Sequence, residues 1–178
     1  MEETKIYTVT PIYWTAEYND EIAEAYRLLK DQERKIFDLA WHEDNPEGVM
    51  RYIEDQVRNN MVFIVKDVDR VAGVFMLENP RVYKDVILAC DIHCAISKKY
   101  WGKNARDICD VFAKFLRQGY NINRLIANVP QCGYGVIKLL KSIGFKHEGT
   151  VKKVLVFKDK DGNDKLYDGL IYGLDLEE

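Results

Sequence analysis

Four cysteines and one histidine are the residues most able to bind a metal or to cross-link this chain. Cys90, Cys94, Cys109 and Cys132 lack CxxC spacing, and three of them lie in strongly apolar runs. That pattern predicts buried free thiols rather than a zinc site or a disulfide framework. His93 stands between Cys90 and Cys94, but side chains alternate along a strand, so it is expected to face away from both. Asp91 shares the face of His93, which puts a carboxylate and an imidazole on one side of one strand. No metal site is expected.

The elements around these residues are read from hydrophobic period and from breakers. Residues 4–10 read as a strand, and a helix runs from Asp20, its expected cap, to about residue 29 on Ile22, Ala23, Tyr26 and Leu29. Pro46 opens a second helix to residue 59, with Val49, Tyr52, Ile53 and Val57 on one stripe. Residues 61–65 and 71–77 form a hairpin about Lys66-Asp67-Val68-Asp69-Arg70, and 86–96 is a third strand of the same meander. A helix follows over 104–118, a strand over 125–129 and a helix over 135–143 ended by Gly144. Strands at 151–157 and 166–174 flank Asp159-Lys160-Asp161-Gly162-Asn163.

A chain of 178 residues, 47% hydrophobic and 31% charged, suits one globular domain over residues 1–178. With 29 acidic and 26 basic residues spread along it, the net charge of −3 supplies no reason to expect nucleic acid or a membrane as partner. Met-Glu-Glu-Thr-Lys has no signal-peptide pattern and no apolar run is long enough to span a bilayer, so a cytoplasmic protein is expected.

Three segments carry a family resemblance. They are Ile96-Ser97-Lys98-Lys99-Tyr100-Trp101-Gly102-Lys103-Asn104-Ala105, the strand Arg124-Leu125-Ile126-Ala127, and Lys141-Ser142-Ile143-Gly144-Phe145-Lys146-His147-Glu148-Gly149. In their order and on their elements they resemble the GNAT superfamily of N-acetyltransferases. The Trp-Gly-Lys and GFxxEG motifs are similar to the branch that acetylates ribosomal-protein N-termini and small amines. The resemblance implies an α+β (mixed α/β) fold: a mostly antiparallel seven-stranded sheet whose fourth and fifth strands run parallel and splay apart, flanked by about four helices. It implies acetyl-CoA as cosubstrate, an amine or protein amino group as acceptor, and a homodimer as a candidate assembly.

By the same resemblance Cys94, Ala95 and Ile96 offer a strand edge to the pantetheine arm. Trp101, Gly102, Lys103, Asn104, Ala105 and Arg106 form the loop and helix start that take the pyrophosphate. The family's usual Gln or Arg, Gly, and Gly or Ala fall here on Trp101, Asn104 and Arg106. Asp91 and His93 are the candidates for a base, with Glu78 behind them. The acid that the family commonly carries falls on apolar Leu140 and Val136, which leaves Tyr134 as the nearest phenol. Tyr7, Tyr13, Trp14, Tyr18, Trp41 and His42 are candidates for an acceptor wall or for core packing. Two functions stay open: a direct-transfer N-acetyltransferase, and a non-catalytic binding or assembly protein on the same scaffold, as in some phage accessory proteins.

Overall fold

The computed structural model describes residues 6–13, 15–37, 45–158 and 163–176, so Trp14, Trp41 and His42 lie outside the described residues. In chain order come β1 (Tyr7–Ile12), α1 (Asp20–Phe37), α2 (Pro46–Asn59), β2 (Met61–Asp67), β3 (Arg70–Tyr83) and β4 (Val86–Ile96). A 3₁₀ turn at Lys98–Tyr100 leads into α3 (Lys103–Gly119), then β5 (Arg124–Pro130), α4 (Tyr134–Ser142), β6 (Lys146–Lys158) and β7 (Asp164–Asp175). The seven strands form one sheet in the order β1-β2-β3-β4-β5-β7-β6, in which β4 and β5 are parallel and the other neighbours antiparallel. This is the mixed α/β fold that the resemblance implies.

Several boundaries differ from the expected ones for local reasons. Helix α1 is capped by Asn19, whose Oδ1 accepts the Ile22 N–H at 2.9 Å, and Asp20 is instead a first-turn acid that favours the helix dipole. It continues to Phe37 because residues 30–37 contain no glycine or proline to stop it. Strand β3 runs past Leu77 by absorbing Asn79-Pro80 as a bulge, where Glu78 pairs with Asp91 and Arg81 with Ala89. Strand β6 begins at Lys146 rather than residue 151, because α4 stops abruptly. Gly144, at φ 99, ends it in a Schellman motif, with the Gly144 N–H on Lys141 O at 3.3 Å and the Phe145 N–H on Leu140 O at 3.0 Å. Leu140 and Phe145 both enter the core there.

Alternation along the central strands sends side chains to two apolar layers. Phe63, Val65, Phe75, Leu77 and Cys90 pack with Ile108, Cys109, Phe112 and Leu116 of α3. Phe75 stacks on Phe112 at 4.1 Å between ring centroids. On the other face Val62, Ile64, Val74, Met76 and Ala95 pack against Ile22, Tyr26 and Leu29 of α1 and Val49, Tyr52 and Ile53 of α2. Each such large side chain stabilises the fold by about 1.5–3 kcal/mol.

The motif residue Glu148 also has a structural task. Arg124 of β5 pairs with both Glu148 of β6 and Asp175 of β7. The ends of the Arg124 and Glu148 side chains lie where a Cβ on Gly173 would be, so a larger residue there would have to displace that ion pair.

Candidate active site

The opening in the sheet arises where β4 and β5 part. They pair at Cys90–Leu125 and Asp91–Ile126, after a bridge at Ile87–Ile122, and β4 then continues to Ile96 and β5 to Pro130. The Ser97 N–H donates to Ala72 O at 3.0 Å, toward β3. Backbone groups alternate in an antiparallel pair, so those of Ala95 and His93 also point to β3, and those of Ile92, Cys94 and Ile96 point into the opening. Ala95 therefore departs from its expected role: its backbone pairs with Val74 and its side chain is buried against α1.

The loop after β4 is held from below by Tyr100, only 1% exposed. Burial and the Asp67 carboxylate push its phenol up to about 12. Trp101 is 61% exposed and its indole N–H donates to Ile96 O at 3.0 Å. Gly102 is the N-cap of α3 at φ 80 and ψ −130, a conformation that L side chains rarely adopt, and it brings no side-chain cap. A Cβ there would meet nothing within 4 Å, so the space beside this residue is open. Lys103, Asn104 and Ala105 form the first turn, which contains no acidic residue. Arg106 lies back along the helix, its Nε 3.7 Å from Asp110 Oδ2, and does not fill that space. The residues present thus fit a phosphorylated ligand with an extended arm.

On the α1 face the structure separates Asp91 from His93. Asp91 is bound to the bulge of β3, accepting from Asn79 Nδ2 at 3.0 Å and from an Arg81 guanidinium nitrogen at 3.4 Å. His93 Nε2 lies 3.1 Å from Glu78 Oε2. The hydrogen bond to Glu78 raises the His93 pKa above its ordinary value, and the same bond holds the Glu78 carboxyl below its own. The sequence put Glu78 at the end of the preceding strand, behind the other two, whereas β3 in fact continues past it to Tyr83. The signal was Asn79-Pro80, which could be read as a bulge inside a longer strand.

Tyr134 begins α4, on the β5 side of the opening, and is 79% exposed. Helix α4 packs on the α3-side core, whereas the Glu78–His93 pair projects on the α1 side of the sheet. Cys94 lines the opening on the core side, and burial raises its thiol to about 11. All four cysteines are free. Among the described residues no group of three or more His, Cys, Asp or Glu side chains could hold a metal ion, and no helix is long and apolar enough to cross a membrane. Of the aromatic group, Tyr7 packs against the α3-side core, Tyr13 is exposed, and Tyr18 lines a cavity of about 450 Å³ beside α1 with Glu24, Arg27 and Asp31.

Solved structures share this architecture. A ribosomal-protein-S5-alanine acetyltransferase from Vibrio fischeri is 19% identical at a TM-score of 0.71, with 99% of this chain and 96% of that one covered. Spermidine N-acetyltransferase from Vibrio cholerae, in complex with CoA and spermine, is 12% identical at a TM-score of 0.73, covering 96% and 95%. The Salmonella typhimurium protein yncA, solved with its cofactor acetyl-CoA, is 16% identical at a TM-score of 0.62, covering 97% and 95%. A comparison with curated protein sequences finds no match. The sequence model of the acetyltransferase (GNAT) domain matches residues 15–166, which spans the parting strands, the Gly102 loop and the α4 terminus, and the chain therefore belongs to the GNAT acetyltransferase family.

Proposed function

We propose that this chain is an acetyl-CoA-dependent N-acetyltransferase, working as one cytoplasmic domain, that transfers the acetyl group directly to a small amine or a protein amino group. The observation that carries the reading is the opening between β4 and β5 beside an α3 N-terminus with no side-chain cap. Backbone groups of Cys94 and Ile96 offer an amide-bearing arm the pairing that a neighbouring strand would have. The first amides of α3 and the helix dipole favour a pyrophosphate, and Lys98, Lys99 and Arg106 add positive charge nearby. Relatives of the same fold solved with acetyl-CoA or CoA support the same ligand.

Acetyl-CoA, when bound, supplies a thioester carbonyl that an amine can attack. This chain's part is to make the amine neutral and to orient it. Glu78 holds the Nε2–H form of His93 and leaves Nδ1 to accept the amine's proton. Asp91 anchors the strand segment that carries Glu78. Burial keeps Cys90 and Cys94 protonated at neutral pH, so neither of these β4 thiols is poised to take the acetyl group, which suits direct transfer. The free thiols also suit a reducing compartment.

The second reading is a scaffold that binds without transferring. It is favoured by the exposed Tyr134 and by the apolar Val136 and Leu140 where a hydroxyl would serve as acid. Calorimetric titration with acetyl-CoA, followed by CoA-release assays with spermidine and an alanine-leading peptide, separates the two. Binding with amine-dependent CoA release supports the enzyme, and binding without release from any amine supports the scaffold. No binding at millimolar acetyl-CoA removes the enzyme reading.

A further inference from the structure

We infer that Trp101 is a positioning residue that sets the spacing between the two halves of the cofactor site, the β4 edge and the α3 amides. The inference rests on the cofactor reading above. Ile96 is the last residue of β4 and Lys103 the first of α3. Between them the backbone closes on itself and on β3: Ser97 N–H to Ala72 O at 3.0 Å, Tyr100 N–H to Ser97 O at 2.8 Å, and Trp101 N–H to Lys98 O at 3.2 Å. These bonds do not tie the far end of the loop to the side of β4 that faces the opening. The Trp101 indole does so, donating to Ile96 O at 3.0 Å.

An aromatic ring that is 61% exposed gains little from packing, so this hydrogen bond is what selects its position. A carbonyl oxygen has two lone pairs, and Ile96 O can accept from the indole and still accept from an arm amide. The next residue, Gly102, sits at φ 80 with open space where a Cβ would be. It is a joint that no side chain restricts. Trp101 therefore fixes to the strand edge the residue from which that joint, and α3 beyond it, departs. A ligand that spans both halves depends on their spacing, and one that occupies only the helix start does not.

The test compares the parent with Trp101→Phe, which keeps a ring and loses the donor. Acetyl-CoA spans both halves; adenosine 3′,5′-bisphosphate reaches the loop and helix terminus but has no arm. By calorimetry the variant is expected to bind acetyl-CoA about tenfold more weakly, and to bind the bisphosphate within about twofold of the parent. Retained bisphosphate binding also shows that the variant is folded. In the ligand-free parent the Trp101 indole proton is expected to exchange slowly by NMR. An unchanged or higher affinity for acetyl-CoA, an equal loss for both ligands, or a fast-exchanging indole proton overturns the positioning role and leaves the cofactor reading standing. A parent that binds neither ligand overturns the cofactor reading and the positioning role with it.

Discussion

At the residue scale, Glu78 and His93 determine how pH should act. Glu78 favours the imidazolium, so His93 is a stronger base that becomes free only at higher pH. The amine-acetylation rate is expected to rise with pH through a midpoint above the ordinary histidine value. Glu78→Gln should move that midpoint down, and an unmoved midpoint in a pH–rate profile would remove His93 as the base. The pair also couples to stability. The lowered carboxyl stabilises above its ordinary value of 4.5 and loses that effect as pH falls through the lowered one. The raised imidazole stabilises below its ordinary 6.5 and loses that effect as pH rises through the raised one. The pair therefore contributes most between those two ordinary values. Arg106 supplies a second residue-scale prediction. It lies along α3 rather than across the opening, so Arg106→Ala should weaken acetyl-CoA binding by about 1 kcal/mol, as read by calorimetry. Tighter binding would show that the side chain obstructs the site.

At the element scale, two turns carry opposite lessons. The β2–β3 hairpin turns at Val68, a β-branched residue held at φ 57 and 72% exposed. A positive φ is costly for valine and natural for glycine, and the exposed side chain contributes little packing. Val68→Gly is expected to stabilise the fold by about 1 kcal/mol in chemical denaturation, and a loss of stability would mean that the turn is held by contacts of the valine itself. At the end of α4 the requirement is reversed. Gly144 is already the suitable residue at φ 99, and Gly144→Ala should cost about 1–2 kcal/mol by the same measurement. That change would loosen the junction through which α4 delivers Phe145 to the core and starts β6.

At the scale of the whole molecule, thiol chemistry reports how the layers close. Cys90 is buried under α3 and Cys109 on the inner face of α3, Cys94 is half-buried, and Cys132 is exposed in the β5–α4 connection. Burial raises the Cys90 and Cys94 thiols to about 11 and raises Cys109 further. An aromatic disulfide reagent should therefore find one fast thiol and three slow ones in the native protein, and four equivalent thiols after denaturation. A disulfide in the unreduced protein would overturn the compartment assignment. The sequence by itself determined the order of elements, the Gly144 stop, the free cysteines and the glycine loop ahead of a helix. Each follows from periodicity, composition or caps, which act within a few residues. It ended β3 at Leu77 because Asn79-Pro80 breaks the local pattern, and only pairing with β4 shows that the strand absorbs the break as a bulge. The Glu78–His93 bond, the point at which β4 leaves β5, and the indole on Ile96 were decided by tertiary structure, because each depends on register or loop closure between segments whose relative placement no local pattern encodes.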